Sequence, residues 1–580
     1  MTAAPATPSA AAPSAAASNT TIRPPRPKPS ATSSGAESDT APAPARRGAR
    51  QAPPDPLSAR ATSLLIRRTL CPQQQRGGDK ARDAQARPID ELLPPLTSRN
   101  DVDLELYAFL AIILREFVQS WYGKITTDEA FVAEIVHTVA HCTRALEQRC
   151  RKVDLESLVM DEIPDLLDRH VSAYRASRRP IAASPVQIDA RQVYHSLCPL
   201  PPLSPVPRAG DEDSMAEQQR NEAAYRQLLV QAVLALLLPT EDLENPCLTS
   251  LVGQIFSEII IGNAAANKAA QPWLIWEGIC ILARVVQERK EKKDKVSRRL
   301  VGRSPAEDVD KASRRWSVHG FFLSIINLCI LFVTSIRLLA GAVAASSSLP
   351  PRLPSSPDTK GTSTTQSKPK IPSGSNTHVA PMPAPILEFR IWSCAGNLLE
   401  LTTRMPWLSG FLSLVQHAAI NGPARLGRLD GPIDRFLSYH IRSLVSPAHL
   451  PPLLRTLRGA LFPNNAPGQP TLSPPTSHAE LLALRRRAAS ALWRLLPKTI
   501  STLYLGGGLG LTSLRRTAAC DDAEEEEERM VDEVEGLLMV FSDEYCNKHL
   551  LYSVLELVLV RLMPELSEKG VEALWDERLG

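Results

Sequence analysis

His137 and His141 stand four residues apart, a spacing that puts two imidazoles on one face of a helix where they can share a metal ion. The zincin arrangement places a glutamate directly after the first histidine as general base, but Thr138 is there, and no third ligand lies close in sequence. The pair reads as core or surface histidines. The run Gly506-Gly507-Gly508-Leu509-Gly510 resembles a phosphate-cradling loop, yet Leu511-Thr512 follows where a P-loop needs Lys and then Ser or Thr, and no strand precedes it. It reads as a flexible connection between helices. Glu524 to Glu528, with Asp521 and Asp522 beside them, lack the alternating ligands and turn glycine of a calcium loop and read as a solvated run.

The ten cysteines are scattered and form no CxxC pair, which excludes a zinc knuckle or redox motif and suits reduced thiols buried in apolar helices. No G-x-S-x-G elbow is present, and no serine or cysteine has an evident His-Asp partner. A non-enzymatic chain is therefore expected, with no catalytic residue, cofactor or metal. Two polar clusters remain. Arg485-Arg486-Arg487 reads as a patch facing mostly solvent. Asn547-Lys548-His549 precedes a strongly apolar stretch; one reading sends Lys548 to a lipid headgroup, the other makes the trio a helix cap with a structural hydrogen bond from Asn547.

The elements that must carry these residues are helical. Hydrophobic residues make up 43% of 580 positions but aromatics only 5%, so the core is built from Leu, Ile, Val and Ala. Leu104 to Val118, Phe131 to Leu146, Leu155 to Ala176, Ala223 to Leu238, Leu248 to Ile261 and Trp273 to Val286 all have apolar residues at helical spacing. Pro164 is expected to bend or break the third of these, and Thr127 to cap the second. No alternating strand pattern or fixed-period repeat occurs, so the fold class is all-α.

The 50 prolines cluster and mark the boundaries. Residues 1–92 are expected to be a disordered basic Pro/Ala/Ser-rich tail without a signal peptide, and 93–290 a helical domain with a loop over 177–220. A basic linker over 291–317, a hydrophobic helix over 318–345 and a disordered linker over 346–385 follow, then a second helical domain over 386–580 with loops at Pro463 to Pro475 and at the acidic run. A net charge of +4 is too small to suggest nucleic-acid binding.

Two regions carry a family resemblance. Leu104 to Trp121, Asp128 to Ala145, Ala224-Tyr225-Arg226-Gln227-Leu228-Leu229 and, above all, Leu237-Leu238-Pro239 before an acidic turn resemble the PXA domain. Leu457 to Asn464 with Pro463, Ala488 to Pro497, and Asn547-Lys548-His549 through Leu557 to Pro564 resemble the nexin-C domain. The chain is thus similar to a reduced fungal-type PXA protein without the RGS and PX domains of larger sorting nexins. The resemblance implies two helical blocks packed together around an apolar groove for lipid. It implies a membrane-associated lipid-binding or lipid-transfer protein in endosomal or vacuolar trafficking or organelle contact. It also implies a place on the cytoplasmic face of the endosome, vacuole or endoplasmic reticulum, with membrane lipids, a bound acyl lipid among them, and other proteins as partners. The alternative is a membrane tether or scaffold that binds partner proteins.

The run Gly320 to Ile336 is uncharged and at the lower length limit for crossing a bilayer. Three placements stay open: a span, an interfacial or re-entrant helix with Arg337 reaching headgroups, and an apolar helix buried between the blocks. The membrane-contact candidates are Phe321, Phe322, Ile325, Ile326, Leu331, Phe332 and Arg337. A single span would send the second block, with Cys394, Cys520 and Cys546, into an oxidising lumen, away from the first.

Overall fold

The computed structural model describes residues 57–71, 87–126, 130–179, 189–301 apart from 209, scattered positions between 326 and 352, 384–465 apart from 424, 473–496 and 523–580. Among the described residues every regular element is helical. The principal helices are α1 (Ala59–Leu70), α2 (Asn100–Ile113), α3 (Ala130–Cys150), α4 (Ile163–Arg178), α5 (Ala190–Leu197), α6 (Glu212–Leu237), α7 (Pro246–Gln254) and α8 (Pro272–Val301). After the apolar segment come α9 (Ile391–Leu398), α10 (Pro406–Asn421), α11 (Pro432–Leu444), α12 (Leu450–Leu461), α13 (His478–Leu495), α14 (Ala523–Leu538), α15 (Glu544–Leu562) and α16 (Val571–Leu579).

Helix ends follow local chemistry. Asp211, Asn245, Ser477 and Asp543 each accept a hydrogen bond from an otherwise unpaired first-turn amide of α6, α7, α13 and α15. Pro164 does not break its helix. It sits inside a continuous helical run, directly after the π-type turn Leu158–Glu162, whose widened backbone accommodates the ring and the missing N–H.

Five sequence expectations change: the basic linker expected from residue 291 is instead helical as far as Val301, the end of α8, and four others follow. The tail is helical from Ala59: Thr62, Ile66, Thr69 and Leu70 share a face and are buried with Tyr107, Ala108 and Ala111 of α2, a four-residue stripe too short to stand out in a Pro-rich region. The loop expected over 177–220 contains α5 and the start of α6. The acidic run lies within α14, whose apolar face, Met530, Val531, Val534 and Leu538, carries the helix into the core. The segment expected as a linker over 346–385 holds a buried arginine. Arg352 lies 3.3 Å from Glu156 and 3.3 Å from Asp434, donates to the Ala384 carbonyl, and sits over the Phe389 ring. Thr127 and Gly506 to Gly510 fall outside the described residues.

Residues Asp55–Gly580 close into one unit because the two blocks share their cores. Trp276 and Cys280 of α8 pack on Leu484, Ala488 and Ala489 of α13 and on the α14 stripe. Val171 and Tyr174 of α4 and Tyr194 of α5 pack on Val540 and Cys546, and Ala232 and Ala235 of α6 on Leu574 of α16. Of the arginine patch, Arg486 and Arg487 face solvent as expected while pairing with Asp532 at 2.8 Å and Glu277 at 2.5 Å, whereas Arg485 is turned inward and pairs with Glu535 at 2.6 Å.

Arg352 supplies the cation for two carboxylates that are 3% and 0% exposed. Glu156 keeps Arg442 at 3.1 Å, but Arg352→Met should leave the buried Asp434 without its cation and cost about 3 kcal/mol or more, seen as a lower urea midpoint. An unchanged midpoint would show that the pair is not buried in solution.

Candidate functional site

Two features set this molecule apart from a closed bundle: a polar seam between the blocks, and apolar helix faces that stay exposed among the described residues. The seam begins on α6. Glu222 and Arg226 are one turn apart and buried, 3.2 Å from each other. Arg226 donates to the Ser257 carbonyl and to Glu258 at 3.1 Å, and Gly262 lets its guanidinium approach the backbone, since a Cβ there would lie 3.0 Å from Nε. The Tyr552 hydroxyl of α15 donates to Glu222 at 2.8 Å. A charge-assisted network of this kind ties α6, the 255–269 segment and α15 into one assembly.

Along the same α15 face lies a ring cluster. The His170 Nδ1 is 2.9 Å from the Tyr194 hydroxyl and its Nε2 is 3.2 Å from the Val540 carbonyl. His195 is 3.4 Å from His549 and 3.1 Å from the Tyr545 hydroxyl, which donates to the Leu203 carbonyl at 2.8 Å. Burial pushes His170 down to about 4. His549 falls to about 3, through burial first and then the neighbouring His195 and His170. Burial also lowers His195 and raises the Cys546 thiol. These groups are held neutral and inert: a thiol kept protonated is a poor nucleophile.

The uncovered faces belong to two helices. The stretch Pro246–Ala269 is the one helix among the described residues long and apolar enough to cross a bilayer by length and composition. Arg226, Glu258 and the Asn267–Lys548 hydrogen bond tie it into the bundle, so one side is occupied while Leu251, Phe256, Ile259 and Ile260 face outward. In α10 no residue is buried, and Trp407, Phe411, Leu412, Leu414 and Val415 are all about half exposed or more. Its sequence carries no formal charge apart from the titratable His417. Soluble surfaces rarely leave contiguous apolar area of this kind bare.

Comparison with known proteins bears on this arrangement. The PXA domain family model matches residues 99–282, a span from the start of α2 into α8. The chain carries a PXA domain. The PXA domain protein 1 of Schizosaccharomyces pombe is 24% identical over 222 residues, covering 38% of this chain and 39% of that protein. Sorting nexin-13 of Homo sapiens is 24% identical over 209 residues, 34% of this chain and 21% of the relative. Sorting nexin-14 of Danio rerio is 31% identical over 80 residues, 14% of this chain and 9% of the relative. The chain thus matches well under half the length of each. No solved structure matches.

The motif residues fall at the contact between the PXA domain and the C-terminal helices. Leu238 is buried and its carbonyl accepts from Arg578 of α16, while Pro239 precedes the turn Thr240–Leu243. Pro463 opens the turn Pro463–Asn465, and the Asn465 carbonyl accepts from Arg115 of the PXA domain. Pro564 precedes Glu565, which pairs with Arg149 at 2.9 Å. Asp543, not Asn547, caps α15; Asn547 makes the expected structural bond, donating to the Ala270 and Phe541 carbonyls. Lys548 points at Asn267 and Glu222 rather than outward, and His549 is buried. His137 and His141 line an open cleft with Pro94 and Arg144. Ile326 and Arg337 are exposed on a helix, whereas Phe321, Phe322, Ile325, Leu331 and Phe332 lie outside the described residues. Sequence reading named Arg226 only within a family string and missed Glu222, His170 and Tyr194, whose signal was a polar residue at an inward position of an apolar helical pattern.

Neutral buried histidines set a pH dependence. An unfolded chain takes up protons on these rings near pH 6.5, the folded chain only near 4 and 3. Between those values the unfolded state binds more protons, so stability present above pH 6.5 is lost as pH falls toward 4. Chemical denaturation at pH 7.5, 6 and 5 (roughly bracketing that window) should show falling midpoints, with a shallower fall in His549→Gln. A flat profile would mean that the rings are accessible.

Proposed function

We propose that this protein acts in membrane trafficking as a non-enzymatic lipid-binding or lipid-transfer protein, on the cytoplasmic face of an endosomal, vacuolar or endoplasmic reticulum membrane. Its PXA domain and its sorting-nexin relatives support the trafficking role. The observation that carries the lipid reading is the pair of charge-poor apolar faces, on Pro246–Ala269 and α10, left uncovered in a chain whose two halves are otherwise closely packed. Acyl chains brought onto such faces leave water, a gain of roughly 0.8 kcal/mol per methylene. The C-terminal helices, which resemble nexin-C, complete the unit: without them Glu222, Arg226 and Glu105 would lose buried partners.

The same bare faces also suit the second reading, a tether or scaffold whose apolar helices bind partner proteins. The two differ in whether lipid travels with the protein. Mass spectrometry of an organic extract of the purified full-length chain should find glycerophospholipid near equimolar amounts. The double variant Phe411→Asp, Leu414→Asp should retain at least fivefold less, with its unfolding midpoint unchanged because both side chains are exposed. A lipid-free wild-type extract would favour the tether.

A further inference from the structure

Both ends of the apolar segment are tied to one folded unit. Upstream, Trp276 of α8 is 2% exposed against Leu484 and Ala488 of α13 and Val531 and Val534 of α14, and Glu277 pairs with Arg487. Downstream, Ser346 is buried, and six residues later Arg352 enters the site between Glu156 and Asp434. Trp276 and Glu156 come before the segment in sequence; α13, α14 and Asp434 come after it. One bilayer crossing between Val301 and Arg352 would place these partners on opposite sides. It would also separate Tyr552 from Glu222 and Arg458 from Glu105. The number of crossings is therefore even.

Two crossings do not fit either. The apolar sequence from Gly320 to Ala345, broken by one charge at Arg337, has the length of a single bilayer crossing and not of two. A return span needs about 20 apolar residues, but Arg303, Glu307, Asp308, Asp310, Lys311, Arg314 and Arg315 occupy the preceding sequence. Zero crossings remain. The helix nevertheless bares a stripe: Ile326, Ile330 and Val333 are 50%, 57% and 62% exposed at i, i+4 and i+7, with Arg337 exposed one turn further on. The sequence before it carries Lys290, Lys292, Lys293, Lys295, Arg298, Arg299, Arg314 and Arg315, a cationic run complementary to anionic headgroups.

We propose that the 326–346 helix lies in the headgroup layer of an anionic membrane, on the same face as both helical blocks. Ile326, Ile330 and Val333 enter the acyl boundary and Arg337 stays at the phosphates. This rests on the membrane association proposed above, but not on lipid uptake.

Two measurements on the full-length chain test it. First, N-glycosylation acceptor sequences inserted after Arg303 and within residues 353–383 report sidedness in endoplasmic reticulum microsomes. Neither is expected to be modified, and modification of the downstream acceptor alone overturns the proposal. Second, Ile330→Asp combined with Val333→Asp should weaken binding to phosphatidylcholine vesicles containing phosphatidylserine at least tenfold without shifting the unfolding midpoint. Arg337→Gln should weaken binding only when phosphatidylserine is present. Unaltered vesicle binding by the double variant overturns the in-plane placement. Failure of the unsubstituted chain to bind these vesicles overturns the membrane reading itself, whereas the lipid extract bears on lipid uptake alone.

Discussion

A charge taken out of water needs a partner, and in this chain the partner repeatedly comes from the other half of the sequence. Glu105, 1% exposed, faces Arg458, which is fully buried, and Arg455. Glu156 is met by Arg352, Arg442 and the Ser438 hydroxyl. Glu222 is met by Tyr552 and Lys548. Leaving any of these carboxylates alone would cost several kcal/mol, which is why the two blocks behave as one body rather than as beads on a linker. The fully buried Arg458, whose burial depresses its pKa even beside Glu105, shows how far this dependence goes.

The same constraint bears on the proposed functional surface, which is apolar and external. Charged residues at inward positions are consumed in the seam, and the reactive groups of the ring cluster (His170, His195, His549 and Cys546) are held neutral while Lys548 is paired. What remains for recognition is surface the seam does not use: the outer side of Pro246–Ala269, the exposed face of α10, and the exposed Ile326, Ile330 and Val333. Recognition through such surfaces is unspecific in direction and scales with area removed from water. That suits a partner that is itself extended and apolar.

A seam of this kind also limits membrane geometry. An apolar run at the lower limit of spanning length has three placements by composition alone. Once the residues on both sides of it share the core of Trp276 and Leu484 and the ion site of Arg352, the span is incompatible with the fold.

The sequence by itself determined the class. Periodic Leu, Ile, Val and Ala, few aromatics and no strand alternation left helices as the only regular element, and the Leu237-Leu238-Pro239 motif marked the PXA domain that the family comparison finds. It located six helices of the first block, because a stripe of four or more apolar residues at helical spacing is a local signal. It could not show α1, whose stripe includes two threonines, nor the role of Arg352, which follows a Ser/Pro-rich stretch and meets carboxylates 196 and 82 positions away. Nor could it show that Lys548 turns inward, since a lysine before an apolar run suits a headgroup as well as a buried glutamate. Tertiary structure decided these points because they depend on pairings between residues distant in sequence, and a one-dimensional pattern records which residues want a partner without recording which partner they meet.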